Sequence, residues 1–154
     1  MVDLQELEKI KRLKYKYQRC LDLHLWDELE ECFVPEATSS YGDGQYTFGS
    51  RDEILNFLKQ AMGRPSSMSS HHVHHPEIDI DGERATGVWA LEDYVVDQEA
   101  GNTIHGAAYY HDQYVKVDGE WKIKHTGYMR AYEERVERRN NPHIELTVGW
   151  GAGE

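Results

Sequence analysis

The spacing of apolar residues changes along the chain, and this change constrains the fold more than any other feature of the sequence. In the first third, Ile10, Leu13, Tyr17 and Cys20 recur at intervals of three and four, which predicts an amphipathic helix. From residue 71 onward apolar and polar residues alternate, as they do in strands with one buried face. Helices followed by a long strand-rich segment indicate an α+β fold.

Shorter elements are predicted between the first helix and the strand-rich segment. A second helix is expected over residues 26–33, limited by Pro35. Gly42-Asp43-Gly44 marks a turn between two strands. Ser50 and Glu53 have the spacing of a capping box, which opens a further helix. These elements all precede the long strands.

Tight turns divide the second half of the chain into three or four long strands. Asp81-Gly82 and Asp118-Gly119 are turn signals, and strands joined by such short turns pair antiparallel. A curved, mostly antiparallel sheet wrapped by N-terminal helices would form a cone with one open mouth. Residues 1–154 are predicted to be one domain, and the polar tail 133–154 receives no assignment. The predicted strands are 71–80, 85–96, 105–117 and 121–132.

Charge and composition exclude several classes of function. The formal net charge of −11 disfavours general attraction to nucleic acid or an anionic membrane. The sequence has neither an apolar run long enough to span a bilayer nor the pattern of a signal peptide, so we expect a cytoplasmic protein. Cys20 and Cys32 lack metal-type spacing and are interpreted as reduced, buried thiols. The 4 Trp and 10 Tyr could line a pocket for a flat apolar ligand.

The most unusual segment is residues 70–76, which read Ser-His-His-Val-His-His-Pro. One interpretation is a metal site, because His72 and His74 lie on one face of a strand, although no cysteine or carboxylate obviously completes the set of ligands. A second is a general base, since histidine titrates near neutral pH. The third is structural, with every imidazole satisfied by ordinary hydrogen bonds.

Four other polar residues are candidates for a site. Asp93 shares a strand face with Trp89 and Leu91, where an acid is costly unless it is paired or lies near solvent at the strand end. Tyr17 lies on the apolar stripe of the first helix and needs a partner for its hydroxyl, which a backbone carbonyl could equally provide. Two candidates are weaker: Asp22, roughly 140° around the helix from Tyr17, and Arg130, which could face inward or pair with a surface acid.

Separate stretches of the chain resemble the bile acid 7α-dehydratases. This family belongs to the nuclear transport factor 2-like superfamily, which is cystatin-like in fold and includes SnoaL-like cyclases, scytalone dehydratase and ketosteroid isomerase. The similarity runs from about residue 8 to residue 135 and implies the α+β cone described above. The stretches that carry it are residues 16–22 (KYQRCLD), 26–30 (WDELE), 76–78 (PEI), 86–93 (TGVWALED) and 127–134 (GYMRAYEE).

The resemblance also implies which residues act. The family's catalytic positions fall on Tyr17, Asp22, His71, Asp93 and Arg130. It therefore selects one histidine of the cluster, places Asp22 inside the cone and disfavours a metal. The expected reaction is loss of a 7α-hydroxyl as water from a 3-oxo-4-ene bile acid or steroid, with His71 as base, Asp22 or Asp93 behind it, and Tyr17 as hydrogen-bond donor.

The expected partners follow from the same resemblance. The substrate's own enone accepts the electrons, so no cofactor is expected. Trp89, Leu91 and Tyr110 are expected to form apolar walls of the substrate site, and the assembly is expected to be a homotrimer. The alternatives are another SnoaL-like enzyme, such as a ketosteroid isomerase, a scytalone-type dehydratase or a polyketide cyclase, and a non-catalytic small-molecule binding protein.

Overall fold

Three helices and six strands make up residues 2–149, the part of the chain that the computed structural model describes. The end of the polar tail, residues 150–154, lies outside the described residues. In chain order the elements are α1 (Leu4–Asp22), α2 (Trp26–Glu30), β1 (Phe33–Tyr41), β2 (Tyr46–Phe48), α3 (Arg51–Met62), β3 (Ser67–Asp81), β4 (Arg84–Asp97), β5 (Asn102–Val117) and β6 (Glu120–Glu137).

All six strands form a single curved sheet in the order β2-β1-β6-β5-β4-β3. Four of the five strand pairs are antiparallel, and only β1 and β6 run parallel. The predicted α+β fold with a mostly antiparallel sheet is therefore confirmed. Among the described helices, none is both long and apolar enough to span a bilayer.

Helices α1 and α3 each begin after a residue whose side chain caps them. The Asp3 carboxylate accepts hydrogen bonds from the first backbone N–H groups of α1, and Ser50 accepts one from the N–H of Glu53 at the start of α3. Ile10, Tyr17 and other members of the predicted stripe are buried against the sheet. The predicted helix positions thus agree with the structure in both cases.

The prediction for the second helix was too long. Helix α2 ends at Glu30, while Phe33 begins β1 and Pro35 lies inside that strand. Pro35 falls between Phe33 and Thr38, where the register between β1 and β6 is irregular. A proline, which has no N–H to donate, is tolerated in a strand at such an irregularity. As predicted, Cys20 and Cys32 are free and buried.

A bulge in β6 changes which side chains face the core. Strict alternation would place Lys124 and Thr126 on one face. The pairing with β5 instead shifts by one residue between Ile123 and His125, so that Ile123 and Thr126 are both buried while Lys124 is exposed. Arg130 follows Thr126 and Tyr128 in alternation and faces inward, and a second shift, near Ala131, leaves Tyr132 exposed.

Glu6 joins the start of α1 to the end of β5 and the start of β6. Its carboxylate accepts hydrogen bonds from the Lys116 ammonium at 2.8 Å and from the Trp121 indole at 2.7 Å. Lys9 also contacts it, at 2.7 Å. Lys116 foremost, then Lys9 and Trp121, lower the pKa of Glu6 to about 2.

This depressed pKa predicts an acid-sensitive contribution to stability. Because the pKa of Glu6 is lower in the folded state than its ordinary value of 4.5, its stabilisation is fully present above that value and is lost as the pH falls towards 2. We expect Glu6→Gln to be less stable than the native chain at pH 7 and to approach it at pH 3, measured by urea denaturation. Glu8→Gln is the control, because the exposed Glu8 lies on the same helix and pairs only with Lys11 among the salt bridges of the described residues. An equal difference at both pH values for Glu6→Gln would contradict the assignment.

Candidate active site

A cavity of about 680 Å³ lies between the sheet and the helices α1 and α3. Its volume falls within the range of sites that hold small organic ligands. The turn between β1 and β2 and the end of β6 contribute exposed residues, including Asp43, Tyr46 and Arg135, which we take as the rim. Apolar side chains form much of the wall: Leu21, Phe57, Leu58, Leu91, Val95 and Ile104.

One histidine of the cluster faces this cavity with a carboxylate behind it. The His71 side chain is only 7% exposed, and its Nδ1 lies 2.6 Å from Oδ1 of Asp22. The backbone N–H of His71 donates to the other carboxylate oxygen at 2.9 Å, and the Ser69 hydroxyl donates to Oδ1 at 2.8 Å. Three contacts therefore fix the carboxylate, and with Nδ1 carrying the proton, Nε2 is left as a base.

Asp22 reaches this position because it is the last residue of α1. Its side chain extends to β3 rather than into the cavity, and it is absent from the cavity lining, where Tyr17 is present. The helical spacing correctly separated the directions of Tyr17 and Asp22. The resemblance placed Asp22 inside the cone, and the structure places it in the layer behind His71.

Asp93 and Arg130 form a second pair in the wall. Oδ1 and Oδ2 of Asp93 accept hydrogen bonds from Nη1 and Nη2 of Arg130 at 2.5 and 3.0 Å. Asp93 faces inward, as the alternation on β4 predicts, and is 3% exposed. Although His71 and Asp93 are directly opposite in the β3–β4 register, it is Asp22 that binds the imidazole. Of the two acids considered for that role, Asp22 takes it.

Glycine at position 106 leaves space for this ion pair. Gly106 lies opposite Asp93 on the neighbouring strand. A Cβ built there would lie 2.7 Å from Nη1 of Arg130 and 2.7 Å from the carbonyl oxygen of Tyr132. Any side chain at this position would therefore displace the guanidinium from Asp93.

Two phenols meet at the floor of the cavity. The hydroxyls of Tyr17 and Tyr41 are 3.1 Å apart, and both rings are almost fully buried. Burial raises the pKa of each well above its usual value, so both are protonated and able to donate at neutral pH. When one hydroxyl donates to the other, the second keeps its proton for a ligand. Sequence reasoning selected Tyr17 and missed Tyr41, whose only signal was its place at the end of an alternating strand.

The predicted apolar walls divide between the cavity and the core. Leu91 and Tyr110 line the cavity. Trp89 does not: it is fully buried in the core, where its indole N–H donates to the Tyr114 hydroxyl at 3.0 Å. Trp89, Leu91 and Asp93 share one face of β4, but only Leu91 and Asp93 of these three reach the cavity.

A buried lysine beneath the cavity was also missed. Lys14 Nζ lies 2.7 Å from Oδ2 of Asp112, and both side chains are fully buried. The signals were present, because Lys14 follows Ile10 by four residues and precedes Tyr17 by three, within the apolar stripe. Asp112 alternates with Tyr110 and Tyr114 on the inner face of β5.

The remaining histidines of the cluster point away from the cavity. His72 and His74 are exposed, and the His72 ring bonds the Ser70 hydroxyl at 2.9 Å. Within residues 2–149, no group of three or more His, Cys, Asp or Glu side chains is arranged to hold a metal ion. The cluster therefore separates into one inward imidazole and an exposed set.

Comparison with known proteins identifies relatives of the whole fold. A Gibberella zeae protein named as a probable cyclase is 23% identical over 137 residues, covering 80% of this chain and 89% of its own length. A Novosphingobium aromaticivorans structure named "Putative Scytalone Dehydratase" is 22% identical with a TM-score of 0.78, over 98% of this chain and 95% of that one. Hexachlorocyclohexane dehydrochlorinase LinA-type3 from Novosphingobium barchaimii is 16% identical with a TM-score of 0.79, over 95% and 97%. The family model of the SnoaL-like domain matches residues 2–127, and the chain belongs to this family.

Proposed function

We propose that the protein is a cofactor-independent dehydratase that removes the 7α-hydroxyl from a 3-oxo-4-ene bile acid or steroid as water. The observation that carries the proposal is the imidazole of His71, held by Asp22 and directed into a cavity with many apolar wall residues, whose floor presents the hydroxyls of Tyr17 and Tyr41. This arrangement provides a base and an anion-stabilising donor within one enclosed space. The resemblance to the bile acid 7α-dehydratases supplies the substrate.

The first step is removal of a proton from C6 of the substrate. The ketone at C3 acidifies this position through the conjugated double bond, so that a neutral imidazole suffices as base. Because Nδ1 of His71 donates to Asp22, Nε2 takes the proton, and the carboxylate stabilises the imidazolium that results. The electron pair of the broken C–H bond passes into a dienolate, whose charge reaches the C3 oxygen.

The second step expels the hydroxyl group. The dienolate electrons form a new C6–C7 double bond as the C7–O bond breaks, and the imidazolium of His71 returns its proton to the departing oxygen. The product is a dienone plus one water molecule, and the histidine ends neutral as it began. A phenol at the cavity floor, Tyr17 or Tyr41, donates to the oxygen that carries the transient charge.

Removing the base provides the sharpest test of this mechanism. We expect the native chain to convert a 7α-hydroxy-3-oxo-4-ene steroid to a product that absorbs at longer wavelength, because conjugation is extended. His71→Ala should abolish measurable turnover, since a general base contributes about 10²–10⁴-fold. His72→Ala, exposed on the adjacent position of the same strand, is the matched control and should keep activity.

Each departure from this pattern has a definite meaning. Full activity in His71→Ala, with native circular dichroism, would remove the proposed base. Binding of the steroid without turnover by the native chain would favour a non-catalytic binding protein. A chelator should leave turnover unchanged, and loss of activity that zinc restores would indicate a metal mechanism instead.

The phenol pair generates a separate prediction. Tyr17→Phe should lower kcat about 10²–10³-fold with little change in folding, because it removes a donor from the charged intermediate while keeping the ring. Tyr15→Phe is the control, since that ring is on the same helix but 44% exposed and outside the cavity. Equal kcat values for the native chain and Tyr17→Phe would exclude Tyr17 as the required donor.

A second candidate is a dehydratase or cyclase acting on an aromatic polyketide. The cavity floor favours it, because Tyr17, Tyr41, Tyr110 and Tyr128 could also pack against or bond a flat, oxygenated ring system. The same base would remove a proton beside a ketone in such a substrate. Parallel assays with the 7α-hydroxy steroid and with a hydroxylated tetralone distinguish the two candidates by which one is turned over.

We further propose that the protein acts as a cytoplasmic homotrimer, by resemblance to the bile acid 7α-dehydratases. The large exposed side chains on the strands, which include Tyr109, Met129 and Tyr132, are consistent with a surface that another copy covers. Size-exclusion chromatography with light scattering should give a mass three times the 17.9 kDa of one chain. A mass of one chain at micromolar concentration would contradict the assembly.

A further inference from the structure

The ion pair of Lys14 and Asp112 has no role in the mechanism above, yet it lies next to the floor of the candidate active site. Both side chains are 0% exposed and their charged atoms are 2.7 Å apart. The Lys14 ammonium lies 3.4 Å from the ring centroid of Tyr110 and 4.8 Å from that of Tyr17. Those two rings line the cavity and Lys14 itself does not, so the ammonium lies behind the floor that a ligand would touch.

Asp112 is held in place by several donors. Its Oδ2 accepts a hydrogen bond from the Tyr114 hydroxyl at 2.8 Å, and its Oδ1 accepts one from Thr126 at 2.7 Å. The Tyr114 hydroxyl in turn accepts from the Trp89 indole at 3.0 Å. These donors fix the position of the carboxylate, which in turn fixes the ammonium that it binds.

Packing alone gives no reason for a charged pair at this place. Taking two charges from water into the core costs several kcal/mol for each ion, and apolar side chains of similar volume often stabilise a fold equally well or better. The pair contacts two rings of the cavity floor, one of which carries a hydroxyl of the phenol pair. The pair thus lies against the phenols to which the proposed mechanism assigns stabilisation of the negative charge.

We propose that Lys14 is a positioning residue that supports the anion site from behind, and that Asp112 holds it there. This inference rests on the proposed function, because it needs an anionic intermediate at the cavity floor. Burial lowers the pKa of Lys14 and the charge of Asp112 opposes that shift, so Asp112 favours the ammonium form that this role requires. In that form Lys14 provides positive charge in contact with the phenol rings and offsets the charge of Asp112. Without it, the Asp112 carboxylate would face the floor uncompensated and repel a developing oxyanion.

The protonation state of the tyrosines at the cavity floor agrees with this arrangement. Burial raises the pKa of Tyr17 and of Tyr110 well above the usual value, and the negative charge of Asp112 acts in the same direction. The phenols thus remain protonated and act as donors rather than as charged groups. A cation behind the rings strengthens donors of this kind towards an anion without ionising them.

Naphthols test the proposal without depending on turnover. Substituted 2-naphthols of similar size but different acidity are flat, and their ionised form absorbs at longer wavelength than the neutral form. We expect the native chain to bind the more acidic members more tightly and as the anion. Lys14→Met should reduce that preference about ten- to a hundredfold, because the nearest cation is lost.

A second substitution separates charge from packing. Adding Asp112→Asn to Lys14→Met removes the uncompensated carboxylate, so part of the preference for acidic naphthols should return. Lys16→Met is the control, since Lys16 lies on the same helix in an exposed ion pair with Glu31. Its preference should equal that of the native chain.

The outcomes are distinct. An unchanged preference in Lys14→Met, equal weakening of all naphthols, or no recovery on adding Asp112→Asn would overturn the role of the pair. If circular dichroism shows that Lys14→Met does not fold, the neutral double variant is compared directly with the native chain, and an unchanged preference again overturns the proposal. Lys14-dependent binding of naphthols without steroid dehydration would refute only the proposed function. A native chain that dehydrates the steroid but binds no acidic naphthol would overturn only the role of the pair.

Discussion

The contact between the end of α1 and the start of β3 determines how the site is built. The Asp22 carboxylate binds the Ser69 hydroxyl, the backbone N–H of His71 and the imidazole of His71. The same contact therefore joins a helix to the edge strand of the sheet and orients the only inward histidine of residues 71–75, among the side chains that the structure describes. The direction of the imidazole depends on one carboxylate, because no other acid bonds this ring in residues 2–149.

The sequence predicted the parts of the site that lie on regular elements. Tyr17 follows from the helical stripe and Asp93 from the alternation on β4, since each direction depends on its own element alone. Asp22 could not be placed this way, because its orientation depends on where β3 passes the end of the helix. Arg130 was equally ambiguous, since a bulge in β6 reverses the alternation that would have decided its direction. These two assignments came from the resemblance.

Lys14 was missed for a different reason. Its position on the apolar stripe was visible in the sequence, and a charged residue on a buried face requires a partner. The partner, Asp112, lies 98 positions later on β5, so neither residue identifies the other without the register of the sheet. Local periodicity cannot reveal a pair so far apart in the sequence. The predicted strand bounds failed for the same reason. Strands β3, β5 and β6 extend beyond the predicted ends because neighbouring strands pair with them there.

The three internal ion pairs also constrain what the cavity can accept. His71 is bound to Asp22, Arg130 to Asp93 and Lys14 to Asp112, so each ionisable group of these pairs already has a partner within the protein. A ligand whose inserted part carries a charge away from the phenol pair would lose hydration and find no free counter-ion there among the described residues. A neutral ring system loses little hydration and gains the apolar walls. The exposed Arg135 at the rim remains able to meet an anionic group on the outer part of a ligand.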